Sequence, residues 1–170
     1  MHWIFGRYVG GRGAVGLLIV RLVFGAGIML HGWQKLHMPG APFQWMGETG
    51  PPAFLQGLSV LAEFGGGIAI ILGLLTPLAS FGLSCNMLVA LLMVHVSHGH
   101  PFVASGRGAP SFEPALDYLA VALMLLIAGP GRLSLDALIF RPMFGKSAAS
   151  NERFQANSSA AAVPRRKDLG

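Results

Sequence analysis

Two ionisable side chains interrupt long apolar stretches of this sequence. Arg21 lies within LLIVRLVFGAGIML, and Glu63 lies within LSVLAEFGGGIAIILGLL. A charge in lipid costs about 3 kcal/mol on insertion scales and usually faces protein or water, so each group needs a partner. If the two stretches are antiparallel helices, Arg21 lies about 10 Å and Glu63 about 18 Å from one membrane face, within reach of a long guanidinium side chain. The sequence therefore predicts an intramembrane ion pair between Arg21 and Glu63.

A second polar set lies where the apolar stretches end. His31 and Lys35 close the first stretch, His95 closes the third, and Asp117 begins the fourth. These four residues share one leaflet if the helices alternate in direction. One lysine and one carboxylate with imidazoles between them suit a polar headgroup better than a bare divalent ion. The pattern predicts an outward-facing pocket, and the alternative is a ring of interfacial residues bathed in water.

Sites for metals and nucleophiles have little support in the sequence. His95, His98 and His100 are weak candidates for metal ligands, because imidazoles are also ordinary residues at a membrane interface. The one cysteine, Cys85, lies in an apolar run and excludes an internal disulfide or a CxxC motif. No metal site is predicted, and no residue is assigned as catalytic.

The elements that must position these residues are predicted to be membrane helices. The chain of 170 residues is 53% hydrophobic and only 11% charged, where a soluble domain has about a quarter of its residues charged. A membrane span needs about 17 to 25 apolar residues, and the last of four such stretches is shorter. We therefore predict an all-α integral membrane four-helix bundle, up-down-up-down, with spans at about 14–33, 53–75, 78–96 and 114–128.

Chain breakers and small residues add detail to this bundle. Pro51 and Pro52 precede the second span, Thr76 and Pro77 form a short turn before the third, and a Gly-Pro-Gly ends the fourth. Gly25 and Gly32 share a face of the first helix, and Gly65–Gly67 lie in the second, which indicates close helix packing. Asn86 is expected to make an interhelical hydrogen bond.

The segment after the fourth span has two predicted parts. A short interfacial helix at about 134–144 takes Ser134 as its N-cap. It completes a transmembrane domain over residues 1–144. Residues 145–170 are rich in Ser, Ala, Asn and charge, and are predicted to be a disordered cytoplasmic tail.

The distribution of basic residues predicts the orientation. Nine of the twelve Lys and Arg residues flank the bundle on the side of the termini. The positive-inside rule then places both termini of a multi-pass membrane protein in the cytoplasm. The alternative is a cleaved signal peptide, which the long first stretch without a small-x-small cleavage site disfavours.

Several of these features occur together in one known family. HGWQKL ends the first span, LGLLTPLAS joins the second to the third, FEPALDYLA opens the fourth and GPGRLSLDALI follows it. In this order the segments resemble the DoxX family of small four-helix bacterial inner-membrane proteins, over about residues 17–139. The resemblance implies a multi-pass bundle in the bacterial inner membrane and an association with thiosulfate oxidation that passes electrons to quinone.

Two classes of function follow. In the first, the protein is a membrane subunit of a quinone-linked, sulfur-compound-oxidising system, in which Arg21, Glu63 and Asp117 surround a quinone headgroup or pass protons. Electron transfer then needs quinone or an oxidoreductase partner subunit, since the sequence has no readable flavin, haem or iron–sulfur motif. In the second, it is a non-catalytic membrane module that binds a lipid or a partner protein, and its polar residues are purely structural. No nucleic-acid partner is predicted, because the basic tail lacks any supporting motif.

Overall fold

Four long helices make up most of the structure, a computed structural model that describes residues 9–47 and 50–140. The first three are α1 (Gly11–Leu36), α2 (Ala53–Leu72) and α3 (Thr76–Val96). The last is α4 (Glu113–Ala128), and residues 135–140 form a further short helix. The predicted tail at 145–170 and the end of the predicted helix at 134–144 lie outside the described residues.

Three of the described helices, α1 to α3, are long and apolar enough to cross a membrane. The fourth has 16 residues, which at about 1.5 Å per residue is near 24 Å of helix. Large apolar side chains point outward from the bundle, and Ile127 on α4 is 86% exposed. An apolar exterior around an apolar core is the pattern of helices in lipid, so the predicted all-α class and the shorter fourth helix are confirmed.

Helices α1 and α2 pack against each other through glycine. A methyl group on Gly32 would lie 2.3 Å from the backbone nitrogen of Phe64, and one on Gly67 would lie 2.7 Å from that of Met29. Gly25 meets Ile71 in the same way, further along the seam. The residue numbers rise on α1 as they fall on α2, so the two helices are antiparallel. The close packing predicted for these glycines is confirmed.

The turn between α2 and α3 explains where both helices end. Gly73 has φ +64° and Leu75 has φ +48°, a left-handed conformation that a helix cannot include. The second span therefore ends at Leu72 and not at residue 75 as predicted. Helix α3 begins at Thr76, two residues before the predicted start.

The segment after α4 folds back against the α2–α3 turn. Gly129 ends α4 with φ +74°, as the Gly-Pro-Gly predicted. Ser134 Oγ accepts a hydrogen bond of 3.1 Å from the backbone N–H of Ala137, so its predicted role as an N-cap is confirmed. Asp136 N–H donates to the carbonyl of Gly73 at 2.8 Å. The short helix at 135–140 thus lies against the same end of the bundle as the turn.

The core between these helices is apolar. Its largest buried members come from all four helices, with Ile28 on α1, Ile70 on α2, Leu83 on α3 and Leu125 on α4. Phe24 adds an aromatic ring that packs against Tyr118. The end of the bundle that contains the end of α1 is called the Lys35 end below, and the end that contains the α2–α3 turn is called the Arg21 end.

Candidate functional site

Glu63 forms its ion pair with Lys35 and not with Arg21. The Lys35 Nζ donates to Glu63 Oε1 at 2.6 Å and to Ser59 Oγ at 2.9 Å. The carboxylate is buried in the middle of α2, in a π-helical stretch, Leu61–Gly65. Such wide turns occur frequently at functional sites.

Arg21 is held by backbone carbonyls at the opposite end of the bundle. Its guanidinium donates to the carbonyl of Pro130, to that of Leu133 at 2.9 Å and to that of Ile71 at 3.4 Å. It also interacts electrostatically with Asp136. These partners stabilise the buried charge of Arg21, for which the sequence predicted Glu63 as the partner.

The predicted Arg21–Glu63 pair is therefore wrong, and the packing of α1 on α2 gives the reason. Arg21 lies level with Ile71, and Glu63 comes eight residues before Ile71 on α2. Eight residues correspond to about 12 Å of helix, which separates Arg21 from Glu63 along the bundle. The prediction considered only the depths of Arg21 and Glu63 in the membrane and the length of the arginine side chain. It did not include the carbonyls of the loop after α4, which are nearer to Arg21, or the reach of Lys35 down from the other end.

The three other helices each place one polar side chain near Glu63. Together these four residues, called the polar centre below, are Lys35 of α1, Glu63 of α2, Asn86 of α3 and Tyr118 of α4. Asn86 Nδ2 donates to Glu63 Oε1 at 2.8 Å, which confirms its predicted interhelical hydrogen bond. Tyr118 interacts electrostatically with Glu63. The second carboxylate oxygen, Oε2, is buried and has no hydrogen-bond partner among the described residues.

An apolar cavity of about 470 Å³ adjoins the polar centre. Lys35, Ser59 and Asn86 provide polar groups in its wall. The apolar wall comes mainly from α2 and α3, with Leu55, Leu58, Phe81, Gly82, Cys85, Val89 and Met93. A methyl group added at Gly82 would meet nothing within 4 Å, so space is open beside it. The cavity therefore has hydrogen-bond donors beside a mostly hydrocarbon wall.

The loop before α2 covers the polar groups of this cavity. The Lys35 Nζ lies 4.5 Å from the centre of the Trp45 ring, a cation–π contact. Buried Gln56 fixes the loop: its Oε1 accepts from Met46 N–H at 2.9 Å, and its carbonyl accepts from the Trp45 indole at 3.3 Å. Sequence reasoning missed Gln56. Its one signal was an amide side chain in an apolar segment just after two prolines.

The predicted outward pocket is distributed over separate places. Lys35 belongs to the polar centre, and the exposed His31 packs its ring edge against Tyr118 with centroids 5.5 Å apart. His95 contacts His100, and Asp117 is exposed on α4. The structure thus places Lys35 in the polar centre and His31 beside its member Tyr118, whereas His95 lies in a separate cluster with His100.

The three histidines considered as metal ligands lie together at the end of α3. His95 Nδ1 and His100 Nδ1 are 3.1 Å apart, and the His98 and His100 rings stack at 5.7 Å. Across the described part of the chain, no group of three or more His, Cys, Asp or Glu residues is arranged to hold a metal ion.

Asp136 is the second residue that sequence reasoning missed. Its two carboxylate oxygens accept from the backbone N–H groups of Leu75 at 2.7 Å and Thr76 at 2.8 Å. It therefore caps the start of α3 from a distant part of the chain and holds Leu75 in its left-handed conformation. An acidic residue inside the GRLSLDALI segment was the available signal.

Comparisons with known proteins agree with this architecture. Residues 16–96 match the model of the DoxX family. Over 126 residues the chain is 34% identical to inner membrane protein YqjF of Escherichia coli (strain K12), covering 74% of this chain and 92% of that protein. This chain belongs to the DoxX family. The resemblance found in the sequence is confirmed.

Two further relatives have similar coverage. A Haemophilus influenzae protein is 33% identical over 127 residues, covering 74% of this DoxX chain and 91% of its own length. A Bacillus subtilis (strain 168) protein named "Putative oxidoreductase CatD" is 24% identical over 129 residues, covering 75% of this chain and 89% of its own length. No solved structure matches this DoxX protein.

Proposed function

We propose that this DoxX protein binds a quinone in the cavity beside its polar centre and serves as a membrane subunit of a quinone-linked oxidoreductase system. The proposal places the chain in the bacterial inner membrane, as the name of its Escherichia coli relative states for that protein. The name of the Bacillus subtilis relative supports a redox role. The cavity supplies the chemical support.

The observation that carries the proposal is the Lys35 ammonium in the wall of an apolar cavity. A quinone has two carbonyl oxygens that accept hydrogen bonds, on a flat ring with a long apolar tail. Lys35 has three N–H donors, of which Ser59 and Glu63 take two, and Asn86 offers amide groups beside them. The volume of about 470 Å³ lies within the range of about 300 to 1,000 Å³ usual for ligand pockets.

The proposed orientation places the Lys35 end on the outer side of the membrane. Both termini are then cytoplasmic, the four helices run up-down-up-down, and residues 145–170 form a cytoplasmic tail. Reporter fusions at Gly40, at Arg107 and at the C-terminus test this arrangement. The first two should report an outer location and the third a cytoplasmic one, and a cytoplasmic signal at Gly40 would reverse the topology.

Quinone binding can be measured on the full chain purified in detergent. The probe is decylubiquinone, whose fully substituted ring does not alkylate thiols. Quenching of tryptophan fluorescence reports its binding, because Trp45 lines the cavity. The single cysteine, Cys85, lies in the cavity wall and is exposed. A bound quinone should therefore both quench the fluorescence and slow the reaction of Cys85 with N-ethylmaleimide.

A cavity-filling variant tests the location of the site. Gly82→Leu should abolish saturable quenching, because its side chain occupies the open space of the cavity without a backbone clash. Gly16→Leu is the matched control, since Gly16 on α1 also faces open space but lies away from the cavity. Saturable quenching that survives Gly82→Leu would place the quinone elsewhere.

The alternative function, a non-catalytic module that binds a lipid, is tested in the same assay. Phosphatidylglycerol replaces decylubiquinone as the probe for protection of Cys85. Equal protection by the phospholipid, with no preference for the quinone ring, would favour the lipid-binding module. Protection by decylubiquinone at concentrations well below those of the phospholipid would favour the quinone site.

A further inference from the structure

The cavity beside the polar centre is a cleft between one face of α2 and one face of α3. Most of its lining residues recur at intervals of three and four positions, from Leu55 to Ala62 on α2 and from Gly82 to Val94 on α3. This spacing places them on a single side of each helix. The lining of α3 begins at Phe81, so the cleft follows that helix for about 20 Å.

The polar groups of the cleft lie deep in the bundle. Asn86 is at the midpoint of α3 and donates at 2.8 Å to Glu63, which is near the midpoint of α2. About 15 Å of helix therefore lies on either side of this hydrogen bond. Lys35 belongs to the end of α1, but its long side chain reaches Glu63 at 2.6 Å. The donors are thus far from the membrane surface, where charged lipid headgroups lie.

The walls of the cleft are exposed on the outside of the bundle. Leu58 on α2, and Phe81 and Met93 on α3, are each more than half exposed. Cys85, between the last two, is also exposed. Both helices are candidate membrane spans, so in a bilayer these side chains meet hydrocarbon. The cleft therefore opens sideways, between α2 and α3.

A loop covers the end of the cleft that faces water. This segment, residues 37–47, is called the covering loop below, and its Trp45 and Met46 are part of the cavity wall. The Trp45 ring lies 4.5 Å from the Lys35 ammonium, whose side chain is mostly buried. A lysine near a helix end in a membrane usually extends toward water. Here the covering loop lies between the ammonium and the aqueous side.

The covering loop is fastened to the first turns of α2. Buried Gln56 uses both ends of its amide: Oε1 accepts from the Met46 N–H at 2.9 Å, and Nε2 donates to the Pro51 carbonyl at 2.8 Å. The Phe43 ring fills the space beside Gly57, where an added methyl group would lie 2.4 Å from it. Side chains on both sides of the contact thus hold the loop closed.

We propose that the cleft takes an uncharged quinone directly from the interior of the bilayer, through the opening between α2 and α3, and is closed to water by the covering loop. The inference rests on the proposed function and adds the route of entry and the chemical class of the ligand. The ring carbonyls reach Lys35 and Asn86, and the hydrocarbon tail extends into lipid. Gln56 is the positioning residue that keeps the loop closed.

The depth of the donors selects an uncharged ligand. A quinone ring dissolves in hydrocarbon, so it can approach Asn86 and Lys35 from the side. An ionic headgroup would have to move about 15 Å from the membrane surface, and a charge in hydrocarbon is costly. The site offers no compensation, because the Lys35 ammonium is already paired with the Glu63 carboxylate.

Cys85 provides a reporter of the route, since it is the single cysteine of the chain and lines the cleft. A nitroxide spin label is attached to it in the full chain, which is reconstituted in phosphatidylcholine nanodiscs. Power-saturation electron paramagnetic resonance then measures collisions of the label with oxygen, which concentrates in lipid, and with nickel(II) ethylenediaminediacetate, which stays in water. The wild type should collide frequently with oxygen and rarely with the nickel complex. Frequent collisions with the nickel complex, or rare collisions with both, would overturn the proposal.

The covering loop is tested with Gln56→Ala, which removes two hydrogen bonds. Their loss should raise the collision rate with the nickel complex by about fivefold or more, because it shifts the equilibrium between closed and open loop by that factor. The collision rate with oxygen should not change. Gln44→Ala is the matched control, since Gln44 is an exposed glutamine of the same loop, and it should change neither rate.

A second variant covers the case in which Gln56→Ala does not fold, as judged by circular dichroism. Trp45→Leu removes the ring over Lys35 and should produce the same selective rise in collisions with the nickel complex. An unchanged rate in the variant that folds would refute closure by the covering loop.

The class of ligand is tested by protection of Cys85 from N-ethylmaleimide in the nanodiscs. Decylubiquinone and decyl sulfate have tails of equal length, but decyl sulfate has an anionic head, which Lys35 would attract if ligands entered from the membrane surface. At equal concentrations in the lipid, decylubiquinone should slow the reaction and decyl sulfate should not. Equal protection by decyl sulfate would refute the selection of an uncharged ligand.

Failure of this inference and failure of the proposed function give different results. Saturable quenching by decylubiquinone, with a Cys85 label that the nickel complex reaches, would keep the quinone site and refute entry from lipid. A label that only oxygen reaches, in a protein whose fluorescence decylubiquinone does not quench, would refute the quinone site and support the opening to lipid.

Discussion

Lys35 and Glu63 lie 2.6 Å apart and join the end of α1 to the middle of α2. The Glu63 side chain is 4% exposed and that of Lys35 is 18% exposed, so the lysine is the member of the pair nearer to water. Because Lys35 also contacts the cavity, the pair connects the stability of the bundle to its candidate binding site.

The first prediction concerns this pair. Lys35→Met leaves the Glu63 carboxylate buried without a counter-charge and should lower the free energy of unfolding by about 3 to 5 kcal/mol. The double variant Lys35→Met with Glu63→Gln should recover most of that loss, because no buried charge remains. Thermal unfolding in detergent measures both, and losses that simply add would show that the two residues do not interact.

The second prediction concerns the cap of α3. Asp136→Asn retains one acceptor oxygen but presents an NH2 group to a backbone N–H, and should lower the free energy of unfolding by about 1 to 2 kcal/mol. Asp117→Asn is the control, because Asp117 is exposed on α4. Equal melting temperatures for the two variants would mean that the cap adds nothing to stability.

The third prediction concerns the seam between α1 and α2. Gly32→Ala should destabilise the bundle strongly, because the new methyl group would lie 2.3 Å from the backbone of Phe64, which cannot move without separating the helices. Gly16→Ala lies on the same helix with open space around it, and should be neutral or stabilising by up to about 1 kcal/mol. A Gly32→Ala variant that melts with the wild type would contradict the observed packing.

The fourth prediction concerns Arg21. Arg21→Met leaves the carbonyls of Pro130 and Leu133 without these donors, so the segment that follows α4 should detach from the bundle more readily. Hydrogen exchange followed by mass spectrometry should show faster exchange in peptides covering residues 129–140. Arg12→Met, at an exposed position on α1, should leave those peptides unchanged.

The sequence by itself determined the class of the protein, because membrane helices are specified by local composition. Apolar runs of sufficient length, prolines and glycines at their ends, and glycines spaced along one face act within a single segment. The four helices, the Ser134 cap and the glycine seam could therefore be predicted. The need of Arg21 and Glu63 for partners could also be predicted, since the cost of a buried charge depends on the segment around it.

Only the tertiary structure decided which partners these charges have. That choice depends on the register of α1 against α2, in which Gly32 lies against Phe64 and Gly67 against Met29, and on a loop that is distant in sequence. Two of the three carbonyls that bind Arg21 come from residues more than one hundred positions away, and their availability is set by the backbone of a Gly-Pro-Gly turn. A prediction based only on charge and depth includes neither the helix register nor the position of these carbonyls, because a backbone carbonyl carries no signal in the identity of its residue.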